Sequence, residues 1–249
     1  QILSSDLVSN GDFSQEGVQE VSNGSFSQEG SELVTNGNFA TDSSWTTSNQ
    51  STISNGVARI LSTDGSYQYI AQTSVGYSNT QGKQVKVTLE ITEYISGVLK
   101  LQFSGGTSYV FPTSVGVHTL YVLNDGTTGT LNLARVGGAT DISIDNVSVK
   151  EVGQDWTLGA GWSIGENKVT SDGSVGGNDY TVGAESTLII GKTYKVEYTV
   201  LDYIQGNTRV RAGGGSSNFV TANGTYIDYM VAVSPENVRV QAQNNFIGS

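Results

Sequence analysis

A chain of 249 residues is long enough for two ordinary domains, each with its own core. Its net charge of −11, with 12 Lys plus Arg and no basic cluster, repels a phosphate backbone, so nucleic acid is not an expected partner. With no Cys, 2 Pro and 32 Gly it is neither a disulfide scaffold nor a collagen, and apolar runs such as Leu188–Ile190 fall far short of the roughly 20 residues of a membrane-spanning helix, so no membrane partner is expected either.

The first predicted elements are short repeated units. They read Leu7-Val8-Ser9-Asn10-Gly11-Asp12-Phe13, Glu20-Val21-Ser22-Asn23-Gly24-Ser25-Phe26 and Leu33-Val34-Thr35-Asn36-Gly37-Asn38-Phe39, with a period of 13 (21 − 8 and 34 − 21). Each joins a β-favouring stretch to an Asn-Gly turn and a single Phe, which is one apolar anchor and too little to fold alone. Residues 1–30 are therefore expected to form a stalk or connector outside the domains, with Phe13 and Phe26 buried by neighbouring chains. Residue 1 is Gln with no signal sequence behind it, and the chain is expected to be a processed product or an excerpt.

Two copies of one larger unit follow. Gly82-Lys83-Gln84-Val85-Lys86-Val87 aligns with Gly191-Lys192-Thr193-Tyr194-Lys195-Val196, an offset of 109 (191 − 82). Trp45 matches Trp156, and Tyr94 with Gly97 matches Tyr203 with Gly206. The expected domains are 31–152 and 153–249. Apolar residues alternate within each copy, as in Val85, Val87, Leu89 and Ile91, which marks half-buried strands. Further strands are predicted at Val98–Phe103, Thr119–Leu123, Thr130–Arg135, Ile142–Val149, Thr208–Ala212, Tyr226–Val231 and Val238–Gln241. Turn residues punctuate them as in an antiparallel sandwich, and no helical stripe is visible. The predicted fold class is all-β, with two tandem antiparallel jelly-roll β-sandwiches after the short repeats.

The start Leu-Val-x-Asn-Gly-x-Phe, a Trp six residues later, and the closing strand Ile144-Asp145-Asn146-Val147-Ser148-Val149 together resemble the jelly-roll, galactose-binding-like carbohydrate-binding modules. The form is the degenerate one common in tailed-phage virion proteins and large bacterial surface proteins, and it covers residues 31–249. Two departures stand out. The second copy has no Asn-Gly-x-Phe start of its own, and it stops at Ile247-Gly248-Ser249 where a closing strand should follow. Either the sequence is cut there or a strand from another chain completes the sheet.

The resemblance implies sugar binding, for which aromatic faces and hydrogen-bonding side chains are needed. The candidates are Trp162, Tyr203, Arg209, Arg211 and Asn218 in the second copy, and Trp45, Tyr67, Tyr69, Tyr94 and Tyr109 in the first. Arg209 and Arg211, two apart on one strand, share a face. Against this, Trp45 and Trp156 read as core, and Tyr94 and Tyr203 as seals on the turns beside Gly97 and Gly206. The resemblance also implies a structural Ca²⁺ held by Asp145, with Asn38 or the backbone of Asn36 and Gly37 adding oxygens. A catalytic triad would have to use the single His, His118, and no carboxylate pair recurs in both copies.

The functional expectation is a non-enzymatic virion-surface protein, a tail or head fibre or a decoration protein, that forms homotrimers, contacts other virion proteins and touches surface glycans. A secreted bacterial carbohydrate-binding module, or an adhesin fragment, is the alternative.

Overall fold

The computed structural model describes residues 14–174, 179–183 and 188–249. The first sandwich contains β1 (Glu29–Glu32), β2 (Thr46–Thr47), β3 (Thr52–Ser54), β4 (Val57–Ser62), β5 (Tyr69–Thr73), β6 (Gln84–Ser96), β7 (Leu99–Phe103), β8 (Ser108–Val110), β9 (Gly116–Leu123), β10 (Thr130–Arg135) and β11 (Thr140–Val152). One sheet runs β3-β4-β11-β6-β9, with β1 added along the end of β11. The other runs β2-β5-β10-β7-β8, and every pairing is antiparallel. Alternation explains the layering. Val85, Val87, Leu89 and Ile91 point inward from β6 and are fully buried, meeting Leu99, Leu101 and Phe103 of β7 and Leu131 and Leu133 of β10. Each such side chain contributes about 1.5–3 kcal/mol by leaving water.

One short helix interrupts the β pattern. Residues Val75–Asn79 form a single turn, α1, capped by Ser74, whose hydroxyl accepts from the Gly76 amide. It seats Tyr77 in the core, where the phenol donates to Gln72 Oε1 at 3.0 Å. One turn is too short to leave a helical stripe in the sequence.

The start motif of this sandwich is a folded plug. Asn36 and Phe39 both take left-handed backbone angles, the Phe39 amide closes onto the Asn36 carbonyl at 3.2 Å, and Val34 and Phe39 enter the core. Trp45 packs on Phe39 with ring centroids 5.3 Å apart and donates its indole N–H to the same Asn36 carbonyl at 3.0 Å. The closing strand lies across the plug, with the Val147 amide on the Gly37 carbonyl at 2.9 Å. A Cβ at position 37 would collide with the Val147 carbonyl, so only glycine fits.

The second sandwich contains β12 (Trp156–Thr157), β13 (Trp162–Gly165), β14 (Lys168–Asp172), β15 (Asp179–Gly183), β16 (Thr193–Val200), β17 (Gln205–Ala212), β18 (Gly215–Ser216), β19 (Gly224–Val231) and β20 (Arg239–Gly248). The order β12-β15-β20-β17-β18 repeats the second sheet of the first sandwich strand for strand. The opposite layer consists of a β13–β14 hairpin and a β16–β19 pair.

The short repeats require a correction. Residues 20–26 do not stand outside the sandwiches, because they are the plug of the second one. The Phe26 amide closes onto the Asn23 carbonyl at 3.0 Å, and Asn23 and Phe26 repeat the left-handed angles. Trp156 donates to that carbonyl at 3.0 Å and packs on Phe26 with centroids 4.8 Å apart. Lys195 binds Glu16 at 2.7 Å as Lys86 binds Glu29 at 2.7 Å, so the lead-in to the plug is equivalent as well. The second copy therefore has an Asn-Gly-x-Phe start, placed ahead of the first sandwich in the chain. The physical reason is that one Val and one Phe gain nothing by standing in water, and Trp156 offers the same seat that Trp45 offers. Phe26 thus finds its cover within its own chain, and the unit Leu7–Phe13 lies outside the described residues.

Candidate functional site

The outer face of the sheet β12-β15-β20-β17-β18 collects the polar and aromatic groups of the second sandwich. Strand register places Tyr180, Gln241 and Arg209 side by side across β15, β20 and β17, with Arg239 beside Arg211 one step along. Alternation sends all five to one face, away from Val210 and Ala212, which are buried in the core.

Local contacts fix these side chains. Arg209 Nε donates to Gln241 Oε1 at 2.7 Å, and its guanidinium lies 4.2 Å above the Phe219 ring. Arg211 and Arg239 both approach Tyr180, at 5.9 and 5.8 Å from the ring centroid. Arg239 also reaches Glu236 at 3.9 Å. Among the described residues the Nε atoms of Arg211 and Arg239 are buried and meet no hydrogen-bond partner. Asn218 is exposed next to Phe219. The face thus holds one aromatic ring with two cations within 6 Å of its centroid, and a third cation over a neighbouring ring. Such a surface stacks on a flat C–H face and donates charge-assisted hydrogen bonds to hydroxyls and carboxylates.

Of the residues nominated from sequence, Arg209, Arg211 and Asn218 share this region, and Trp162 and Tyr203 do not. Trp162 is 6% exposed and packs into the core, so it offers no free ring face. Tyr203 packs on Phe246 and donates to the Gly206 carbonyl at 3.0 Å, while Tyr94 does the same to Gly97 at 3.0 Å. Both phenols close their own turns. Tyr109 packs against the first core with its hydroxyl 3.4 Å from the Leu123 carbonyl, and burial raises its pKa. Trp45 is core.

The equivalent face of the first sandwich is plainer. Lys100 lies 6.0 Å from the Tyr67 ring centroid and donates to Gln102 at 3.1 Å, and Tyr67 packs on Tyr69 at 5.6 Å. The residues missed from sequence are Tyr180, Phe219, Arg239 and Gln241. The last two carried a usable signal, since they alternate along one strand as Arg209 and Arg211 do.

The oxygens nominated for calcium are already engaged. Asp145 Oδ1 accepts from the Asn146 amide at 2.6 Å, Asn38 Oδ1 from the Ala40 amide at 3.3 Å, and the Gly37 carbonyl from the Val147 amide. The Asn36 carbonyl holds the Trp45 indole and the Phe39 amide. Among the described residues no three His, Cys, Asp or Glu side chains gather where they could hold a metal. A single carboxylate with committed carbonyls does not fit a hard cation that wants six to eight oxygens.

Catalytic groups fare no better. The half-buried His118 has its Nε2 2.6 Å from the Ser114 carbonyl, and Asp141 is clamped by Arg59 through two contacts of 2.6 Å. Hydrogen bonds from Ser66, with a further one from Gln50, lower the Asp64 carboxyl to about 2, the wrong direction for a general acid.

No family model matches the chain. No curated protein matches it. Among solved structures it is similar to the N-terminal CBM22-1–CBM22-2 tandem domain of Paenibacillus barcinonensis Xyn10C, at 10% identity and a TM-score of 0.29, covering 88% of this chain and 91% of that one. Similarity at that level carries no argument about individual residues, and the fold stands on the strand pairings above.

Proposed function

We propose that the chain is a non-catalytic adhesion and structural component displayed outside a bacteriophage virion, in a tail or head fibre or as a decoration protein, and that its second sandwich holds surface glycans. The observation that carries the glycan reading is Tyr180 approached by both Arg211 and Arg239, with Arg209 over Phe219 beside it. Three guanidinium groups on one face of a chain of net charge −11 favour a glycan that bears carboxylates. The virion setting rests on the resemblance of the start and closing motifs. A secreted bacterial module would use the same face, and a capsid or tail gene next to this one separates the two settings.

A glycan array probed with the full chain is expected to return acidic glycans. Arg211→Ala and Tyr180→Ala are each expected to weaken that binding roughly ten-fold. An array with no hits, or hits indifferent to both substitutions, overturns the reading. As a fibre component the chain is further expected to form homotrimers. Light scattering of the intact chain at micromolar concentration tests this, and a monomer counts against the fibre.

A further inference from the structure

The two sandwiches meet in a closed joint. Val152, the last residue of β11, and Tyr121 of β9 both pack into the core of the second sandwich with Ile164. The space left among Phe26, Val152 and Ile164 is about 10 Å³, no more than a single water takes. Tyr121 lies directly over Gly165, where a Cβ would come within 2.7 Å of its Cγ and 3.1 Å of both Cδ atoms. The matching hairpin of the first sandwich, β3–β4, carries Ser54 at that place. An aromatic ring of one sandwich is thus seated on the bare backbone of the other.

Beside this contact runs a groove of about 180 Å³. Along β13 and β14 the residues Trp162, Ile164, Val169 and Ser171 are buried, so Ser163, Gly165, Lys168 and Thr170 face outward. Ser163 stands opposite Thr170, and Gly165 opposite Lys168. The groove is therefore lined by two hydroxyls side by side, by the Tyr121 ring, and by Glu166 and Lys168, whose charged groups are 4.0 Å apart. Lys168 also binds Asp202 at 2.7 Å, so its charge is already matched and gives an anionic ligand no purchase.

We propose that this joint is a second glycan site, separate from the arginine face, and that it takes one neutral sugar ring. Ser163 and Thr170 offer donors and acceptors to sugar hydroxyls, and Tyr121 offers an aromatic surface to the C–H groups. The volume suits a single ring, since sites for larger ligands run to roughly 300–1,000 Å³. The proposal rests on the glycan reading above for its ligand class alone, and it shares no residue with that face. Because the lining comes from both sandwiches, the closed joint holds the site ready before the sugar arrives, which lowers the ordering cost of binding.

Saturation-transfer NMR of the full chain with the neutral methyl glycosides of glucose, galactose, mannose, xylose, fucose and N-acetylglucosamine tests this. At least one is expected to bind with a Kd of roughly 1–10 mM. Ser163→Leu fills the groove from an exposed position and is expected to weaken that binding at least about ten-fold with an unchanged far-UV spectrum. Gly165→Val, which pushes Tyr121 aside, is expected to weaken it as well, and Tyr180→Ala to leave it unaltered. No binding by any of the six at about 10 mM overturns the proposal, and so does binding that is indifferent to Ser163→Leu or lost in Tyr180→Ala. The two glycan readings fail separately. An array without acidic hits, beside a glycoside lost in Ser163→Leu, removes the arginine face and keeps the joint.

Discussion

Gly37 and Gly24 occupy the same place in two plugs, yet their surroundings differ. Gly37→Ala drives a methyl into the Val147 carbonyl and is expected to cost about 2–3 kcal/mol, read as a lowered urea midpoint. Gly24→Ala meets only ordinary contacts and is expected to change stability by under about 0.5 kcal/mol. Equal costs at the two sites would contradict the open second plug. At this scale the sequence was partly legible. The pair Arg209 and Arg211 was visible because two residues on one strand share a face without any tertiary knowledge. Tyr180 was not, since only the pairing of β15 with β20 brings it beside Arg211 and Arg239. Trp162, chosen for its ring, is buried because the same area that could cover a sugar gains as much by covering the core.

Strand β1 is a four-residue element held largely by charge. Glu29 lies between Lys86 and Lys150, and their hydrogen bonds, Lys86 first, hold its carboxyl below the ordinary range. A carboxyl whose folded pKa is depressed contributes stability above its unfolded value of about 4.3 and loses it as the pH falls through the folded value. Lys86 is raised in turn, chiefly by the Glu29 hydrogen bond, so its share is present below about 10.4 and disappears only above that. Protection of the amides in residues 29–32, taken as their exchange rate relative to a free peptide at the same pH, is therefore expected to be highest between about pH 5 and 10 and to fall below about pH 4. Lys86→Met should flatten the acid side, and an unchanged profile would refute the clamp. Alternation made β6, β7 and β10 readable from the sequence alone. The single-turn helix α1 was not, because it rests on a Ser74 cap and one buried Tyr rather than on a repeating stripe.

Across the whole chain, the plug at residues 20–26 ties the second sandwich to residues that precede the first. Phe26→Ala is expected to lower the melting of the second sandwich by about 2–3 kcal/mol, somewhat less than for a fully buried ring, and to leave the first unaffected. Hydrogen–deuterium exchange read peptide by peptide across a urea titration separates the two transitions, and an equal loss in both would sink the assignment. The two-sandwich plan was legible because the repeats keep their spacing. The crossed assignment of plugs was hidden because a heptapeptide carries no mark of which Trp it will meet.

That crossing gives the chain a schedule. Asn23 and Trp156 are 133 positions apart, with the first sandwich between them. A ribosome adding about 5–20 residues per second makes the plug roughly 7–27 seconds before its seat exists. During that interval the Phe39 plug and its own Trp45, only nine residues from Asn36, can engage early. The inner pair thus closes before the outer one, like nested brackets. A chain in which Trp45 were seated by the wrong plug would leave Phe39 stranded, so the spacing of 13 residues also sets which mispairing the folding chain must avoid.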